Sequence, residues 1–461
     1  MTENLFRNRL ENMIDLRPGL VKLAGIMPWE TICRAVESYL PSEVPTPKPK
    51  GSCLFGEVVL AGKASNAGQA TLPTHLLLGL HYLKYAYDCS DDEVVMRRTE
   101  NPYWQFFTGE EFFQTKLPCD SSSLTCWRLR VGDGGVDEML AATIAVAKEL
   151  KIVKEADLQN VIVDTTVQEK GIAYPTDSRL SETSREALVK AAAEHQLNLR
   201  QNYNRVAQAL AREAGRYANA RLYKRMRRTI KKQRTVTGRI VRDIERQIED
   251  KPRIQIKLAS LLANVKRILT QQPKDKNKLY ALHAPEVECI SKGKAKQSYE
   301  FGVKAGIAVS HKQGLIVGAR SFPGNPYVGD TLAEQLEQIG ILTETKPMTY
   351  VDLEYQAREQ EDTEVIHRGK MKRLTRNQRK ALKRRQAVEP MIGHLKSDHQ
   401  MVWNWLKGSI GDAVHAVLCA CVYNLRLLLR HLALLLAQIW VVIWAMELKS
   451  DCNRPVFRAG N

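Results

Sequence analysis

The chain has 461 residues, with 69 Lys and Arg against 51 Asp and Glu, a net charge of +18. Hydrophobic residues at 44% are enough for a real core, and Gly and Pro are too few for a collagen-like or largely disordered chain. Such an excess of positive charge calls for a polyanionic partner, nucleic acid first and an anionic membrane surface second. The nine cysteines are odd in number, scattered and without a C-x-x-C, which argues against a disulfide framework or a zinc knuckle. The opening MTENLFRNRLENMIDL carries acids and no apolar run of signal-peptide length, so a cytoplasmic chain is expected.

In chain order, the first 155 residues read as a helical region. A Pro-rich break at 45–51 precedes a periodic apolar stretch with Leu76, Leu80, Leu83 and Tyr87. Ser90 and Glu93 form a capping box. Ser121 to Ser123 are expected to cap a helix with Leu124, Trp127 and Leu129. The aromatic cluster NPYWQFF reads as core rather than as a base-stacking platform. NVIVD, ending at Asp164, is a short buried strand closed by a carboxylate. Residues 181–296 are then helical and basic. Between Arg221 and Arg242 there are ten Lys or Arg and no acid, a surface suited to phosphates. In that run Arg225, Arg228, Lys231 and Lys232 are the candidate DNA contacts.

Strand character returns at 298–310 and 314–322, joined by a His311-Lys312-Gln313 turn as a hairpin. A helix from Thr331 to a stop at Gly340 follows, then a strand MTYVDL with Asp352 at its end, and TEVIHR as a fifth strand. From His367 to Arg385 there are again ten Lys or Arg and no acid, among them Arg373 and Arg376. A helix running from about Gln378 past Glu389 completes the series. With the basic region set aside, the order is that of an α/β, ribonuclease-H-like core with a mixed sheet. It carries a long helical insertion after its first strand and a helical N-terminal domain. The expected division is 1–155, 156–180 with 297–430, 181–296 as the insertion, and 431–461 as an apolar tail. Residues 432–446 (LALLLAQIWVVIWAM) are shorter than a membrane span, and a buried or interface helix is expected.

Three acids sit where chemistry can gather: Asp164 and Asp352 at strand ends and Glu389 on a helix 37 residues beyond Asp352. Three hard oxygen ligands suit Mg²⁺ or Mn²⁺, and two such ions serve phosphodiester chemistry. Arg385 and Lys396, at helical spacing from Glu389, would form with it one stripe of a metal ligand flanked by two phosphate-holding cations. His394 reads as a packing or phosphate contact. No Walker motif, G-x-G-x-x-G or G-x-S-x-G is present, so neither ATP nor dinucleotide chemistry is supported.

Several stretches resemble bacterial insertion-sequence transposases of the DDE type, in the large insertion-sequence-five group. They are VDTTVQEKGIAYPTDSRL, DKNKLYALHAPEVECISKGKA, YEFGVKAGIA, PGNPYVGDTLAEQLEQ, AVEPMIGHLKSDH and LKGSIGDAVHAVLCACVYNLRLLLR, with HYLKYAYDCSDDEVVMRRTENPYWQFFTGEEFF in the leading helical part. The resemblance covers residues 10 to 432. It implies Asp164 and Asp352 as metal-binding aspartates, Glu389 as the third acid, and two Mg²⁺ or Mn²⁺ ions. Double-stranded DNA, both terminal inverted repeats and target, is the implied partner, and the need to join two element ends implies a homodimer. Arg385, Glu389 and Lys396 match the family signature, whose preceding tyrosine is Leu382 here. Asp177 takes a supporting or loop-capping role. Glu354 and Val422 stand where the family usually has glycine. A continued strand would aim Glu354 at the metal site, and a left-handed turn would strain it. The alternative to an active transposase is therefore a catalytically inactive DNA-binding descendant.

Overall fold

In a computed structural model the described residues are 7–40, 72–291, 298–355, 364–369 and 374–452, with side chains to 434. The expected contact Arg373 and the Pro-rich break at 45–51 lie outside them. The fold is mixed α/β. Its sheet is built on β1 (Asn160–Glu169), whose apolar Val161, Ile162 and Val163 are buried. Those consecutive residues are covered on both faces, which is why they read as an unbroken apolar run. β1 does not end at Asp164. Its antiparallel pairing with β3 (Tyr299–Ser310) runs from Val161 opposite Ser310 to Glu169 opposite Gly302, so Asp164 lies mid-strand opposite Ile307. Gly302 is required there, because a Cβ would collide with the carbonyl oxygen of Gln168.

On the far side of β3, β2 (Glu288–Ser291) and β4 (Ile316–Phe322) pair antiparallel with successive parts of it. The expected hairpin is thus β3–β4, with a bulge between Ala308 and Val309. The short β2 falls inside the stretch expected to be wholly helical. On the other side of β1 lie β5 (Met348–Tyr350) and β6 (Val365–Ile366), both parallel. The spatial order is β4 and β2, then β3, β1, β5, β6. β5 stops before Asp352. A 3-10 turn at Leu353–Tyr355 follows, so strand alternation does not carry Glu354 toward Asp352.

Two helix ends differ from expectation. Asp120, not a serine, caps the helix Ser121–Glu149 by accepting from the Ser122 amide. The helix Leu332–Thr343 passes through Gly340 and ends with Glu344 at φ 57°. A helical glycine costs only about 1 kcal/mol, and Leu342 beyond it packs on the core. The Ser90–Glu93 capping box forms as expected.

One hydrophobic core joins the leading helices to the sheet, including Leu78, Trp104, Leu124, Val161, Ile307, Val317 and Leu428. Trp104 and Phe107 of the aromatic cluster are buried in it. The last helix, Gly408–Cys452, packs along Ser121–Glu149 and β4. Its segment Gly408–Leu434 is long and apolar enough to cross a membrane, but over half of its most apolar window is buried inside the protein. The side chains of 435–446 lie outside the description. The helices Asp177–Glu194, Tyr223–Ile248 and Pro252–Thr270 gather around a second core, with Leu188, Ile244, Leu261 and Val265 at its centre. Asn204–Asn219 packs on the first two. Cys33, Cys89, Cys119, Cys126, Cys289, Cys419 and Cys421 are free thiols.

Candidate active site

Asp164 is carried by the central strand, and Asp352 follows the neighbouring parallel strand. The parallel register of β5 with β1 ends at Tyr350 opposite Ile162, so Asp352, two residues on, lies level with Asp164 in the middle of β1. One side chain joins them. Arg385 reaches the Asp164 Oδ2 from Nη1 at 3.4 Å and the Asp352 Oδ1 from Nη2 at 3.6 Å. The guanidinium-bearing chain is 7% exposed, Asp164 20% and Asp352 40%. The expected single stripe is not what forms. Arg385 lies in a 3-10 turn, Arg385–Ala387, between the helices Arg376–Arg384 and Val388–Asp398. The tighter turn breaks the 3.6-residue phase, and Arg385 turns to the two aspartates.

Glu389 sits in the first turn of Val388–Asp398 and is exposed. Its charge is felt at Asp164. Burial lifts the Asp164 carboxyl above the usual carboxylate range, the Thr165 amide and Arg385 pull it down, and the carboxylates of Asp352 and Glu389 push it up. The Thr165 amide donates to Asp164 Oδ1 at 2.8 Å. Among the described residues, no three acids or imidazoles stand close enough to form a ready metal cage. The donor chemistry nonetheless fits Mg²⁺ or Mn²⁺, because two hard carboxylates already converge on one cation, the Arg385 guanidinium.

Lys396 is half-buried two turns beyond Glu389. His394 pairs with Asp398 at 3.0 Å rather than approaching the acids. Glu354 is exposed and takes no left-handed backbone, and Val422 is buried in the interior of the last helix. Neither position needs glycine, so both expected departures are accommodated. Asp177 opens its helix beside the capping Thr176 and pairs with Arg234 at 3.3 Å. That pair fastens the basic helix Tyr223–Ile248 to Asp177–Glu194.

On the basic helix Ile240, Val241, Ile244 and Ile248 face the second core, at helical spacing. Arg225, Arg228, Lys231 and Lys232 are exposed near its start. Arg376 is exposed in the first turn of Arg376–Arg384, whose Thr375 and Gln378 form a capping box.

Two features escape sequence reading. Tyr355 ends the turn after Asp352 and is buried. Burial first, and the Asp164 carboxylate next, push its phenol well above its usual value. A tyrosine three residues past a strand-end acid was the only signal. At the far end of β1, buried Lys170 binds Asp412 at 2.6 Å and Glu286 at 2.9 Å. Asn404 donates to the same Asp412 oxygen at 2.6 Å. This cluster bolts β1 to the start of the last helix.

Residues 55–130 match the family described as Transposase domain (DUF772), and residues 269–425 match the Transposase DDE domain. A Rhizobium meliloti protein described as uncharacterised protein ORF8 in the nfe locus is 43% identical over 220 residues, covering 48% of this chain and 95% of that protein. No solved structure matches the chain. The matched DDE region holds Asp352, Arg385, Glu389 and the hairpin that pairs with the Asp164 strand, and the chain belongs to the insertion-sequence transposases that carry a DDE domain.

Proposed function

We propose that the protein cleaves DNA at the terminal inverted repeats of its element and joins the freed ends to target DNA. The observation that carries this is the convergence of Asp164 and Asp352, from adjacent strands, on one guanidinium, with the Glu389 charge acting on the same carboxylate. The strand order β4–β3–β1–β5–β6 supports a ribonuclease-H-like core, and the motifs support the insertion-sequence-five group. Residues 156–180 and 297–430 would form that core. Residues 1–155 would read the element ends, 181–296 would hold DNA backbone, and 431–461 would be an apolar tail. Asp164, Asp352 and Glu389 would hold two Mg²⁺ or Mn²⁺ ions, which when bound supply Lewis-acid activation of the attacking oxygen and charge stabilisation of the leaving one.

This chain's own residues do the rest. The paired strand holds Asp164 in place, while the more exposed Asp352 and Glu389 leave the site open to a polymer. A water attacks the phosphodiester at the element end, its oxygen joins phosphorus, and the bond to the 3′-oxygen breaks to give a 3′-hydroxyl. That hydroxyl then attacks a target phosphodiester, displacing the target's own 3′-oxygen. Arg225, Arg228, Lys231, Lys232, Arg373, Arg376 and Lys396 would contact phosphates. Two ends must be brought together, which calls for a homodimer. The reaction needs no ATP and takes place on cytoplasmic, nucleoid DNA, away from the membrane. The accommodated Glu354 and Val422 remove the motive for an inactive descendant, and that reading is not favoured.

The test is a cleavage assay with the full chain, duplex DNA bearing the inverted repeats that flank its gene, and Mg²⁺ or Mn²⁺. Metal-dependent cutting at the element end, lost in Asp164→Asn while DNA binding persists, is the expected result. Cutting retained by Asp164→Asn would overturn the assignment.

A further inference from the structure

The position of Arg385 carries a consequence for how the site is loaded, resting on the reading of Asp164 and Asp352 as metal ligands. We propose that Arg385 is an exchangeable internal counter-ion: it holds the two aspartates together and must leave them when a divalent cation takes their oxygens, so that metal loading frees a guanidinium for DNA phosphate.

Three observations support this. The guanidinium reaches both carboxylates at once, at 3.4 and 3.6 Å, so it lies where an ion shared by them would lie. It is almost wholly buried there, and a guanidinium cannot shed its proton to become neutral. A divalent cation bound by the same two carboxylates would therefore face a fixed positive charge at contact distance. The repulsion is relieved only by movement. The means of movement is local. Arg385 sits in a three-residue 3-10 turn between two helices, and mid-helix turns of this kind are frequent hinge points. Converting the turn to α-helix would bring Arg385 into phase with Glu389, on the face that carries Lys396. The neighbouring Arg376, Arg379, Lys380 and Lys383 are exposed on the preceding helix, so the outward position lies among cations suited to a phosphate backbone. Arg385 is in this account a positioning residue. Its own contact with substrate follows metal loading.

Mn²⁺ affinity distinguishes this from a merely structural role. A residue that only supports the site would weaken metal binding when removed, whereas removal of a competing cation strengthens it. Chelator-treated full-length protein is titrated with Mn²⁺, and free Mn²⁺ is read by electron paramagnetic resonance, without DNA and without turnover. Arg385→Gln should bind Mn²⁺ about tenfold more tightly than the unaltered chain, a coupling in the ordinary range for linked sites. Equal or weaker binding by a folded Arg385→Gln would overturn the proposal. If that variant loses its far-ultraviolet dichroism, Arg385→Lys replaces it, since a shorter side chain without the planar two-nitrogen fork bridges these two carboxylates less well. Its affinity should rise severalfold, and unchanged affinity would again overturn the proposal. Asp164→Asn separates the two readings. If the unaltered chain and Asp164→Asn bind Mn²⁺ alike, the metal-ligand assignment fails. If Asp164→Asn loses binding while Arg385→Gln matches the unaltered chain, only the exchange fails.

Discussion

Replacing Lys170 with Met tests whether the bolt at the end of β1 is electrostatic. Lys170, Asp412 and Glu286 have side chains 5%, 4% and 15% exposed, with the ammonium 2.6 and 2.9 Å from the two carboxylates. Removing one partner of a buried ion pair costs about 3–5 kcal/mol because the remaining charge is left uncompensated. Here the cost must depend on pH. Burial holds the Asp412 carboxyl up at about 6, with Lys170 pulling it down. The folded value is above the unfolded one, so the contribution of this group to stability is full below about 4 and is lost as pH rises through about 6. Without Lys170 the folded value rises further, and Asp412 escapes part of the cost by keeping its proton. The stability difference between variant and unaltered chain should therefore be small at pH 5 and grow by about 1.4 kcal/mol per unit above pH 6, until Asp412 ionises in the variant too. Urea unfolding followed by far-ultraviolet dichroism at pH 5.5 and pH 8 measures it. An equal loss at both values would show that Lys170 acts through packing of its stem, and the electrostatic account would be refuted.

Asp137 gives a second pH effect of the same sign. Its carboxyl, which accepts from Gln338 at 2.8 Å, is pushed up to about 7 by burial. Its stabilising contribution is thus complete below about 4 and lost through about 7, and Asp137→Asn should flatten the decline in thermal midpoint across that window. Neutralising Arg225, Arg228, Lys231 and Lys232 together should leave the melting temperature within a degree or two. It should also lower the slope of log affinity against log salt by about 0.9 for each phosphate that the protein no longer neutralises, as read by fluorescence anisotropy on duplex DNA. An unchanged slope would remove that face from the DNA path. Val422→Gly should destabilise by about 3 kcal/mol, from reduced burial and helix entropy, whereas Glu354→Gly should change cleavage less than twofold. A large rise in activity in Glu354→Gly would show that the exposed carboxylate obstructs the site.

Much of the local structure follows from short-range chemistry legible in the chain. The apolar run before Asp164, the hairpin, the Ser90 capping box and the basic helix each depend on a few neighbouring residues, and each forms where patterning puts it. The misplaced ends share one physical origin. Strand length is set by the partner: β3 extends β1 to Glu169, while the register of β5 with β1 ends at Tyr350. Helix length is set by packing, as at Gly340, where the core holds a helix through its expected stop.

The site divides in the same way. Residue type and spacing, with the motifs around them, were enough to single out Asp164, Asp352 and Glu389. Where Arg385 would point was not legible, because its direction turns on a single 3-10 turn whose phase departs from the helix on either side. Tyr355, whose phenol feels the Asp164 carboxylate, and Lys170, between Asp412 and Glu286, bring together residues far apart in the chain. Sequence by itself determined the charge, most of the elements and the candidate acids. Tertiary structure decided which charges face one another, since burial and ion pairing depend on distances that only the assembled sheet and helices define.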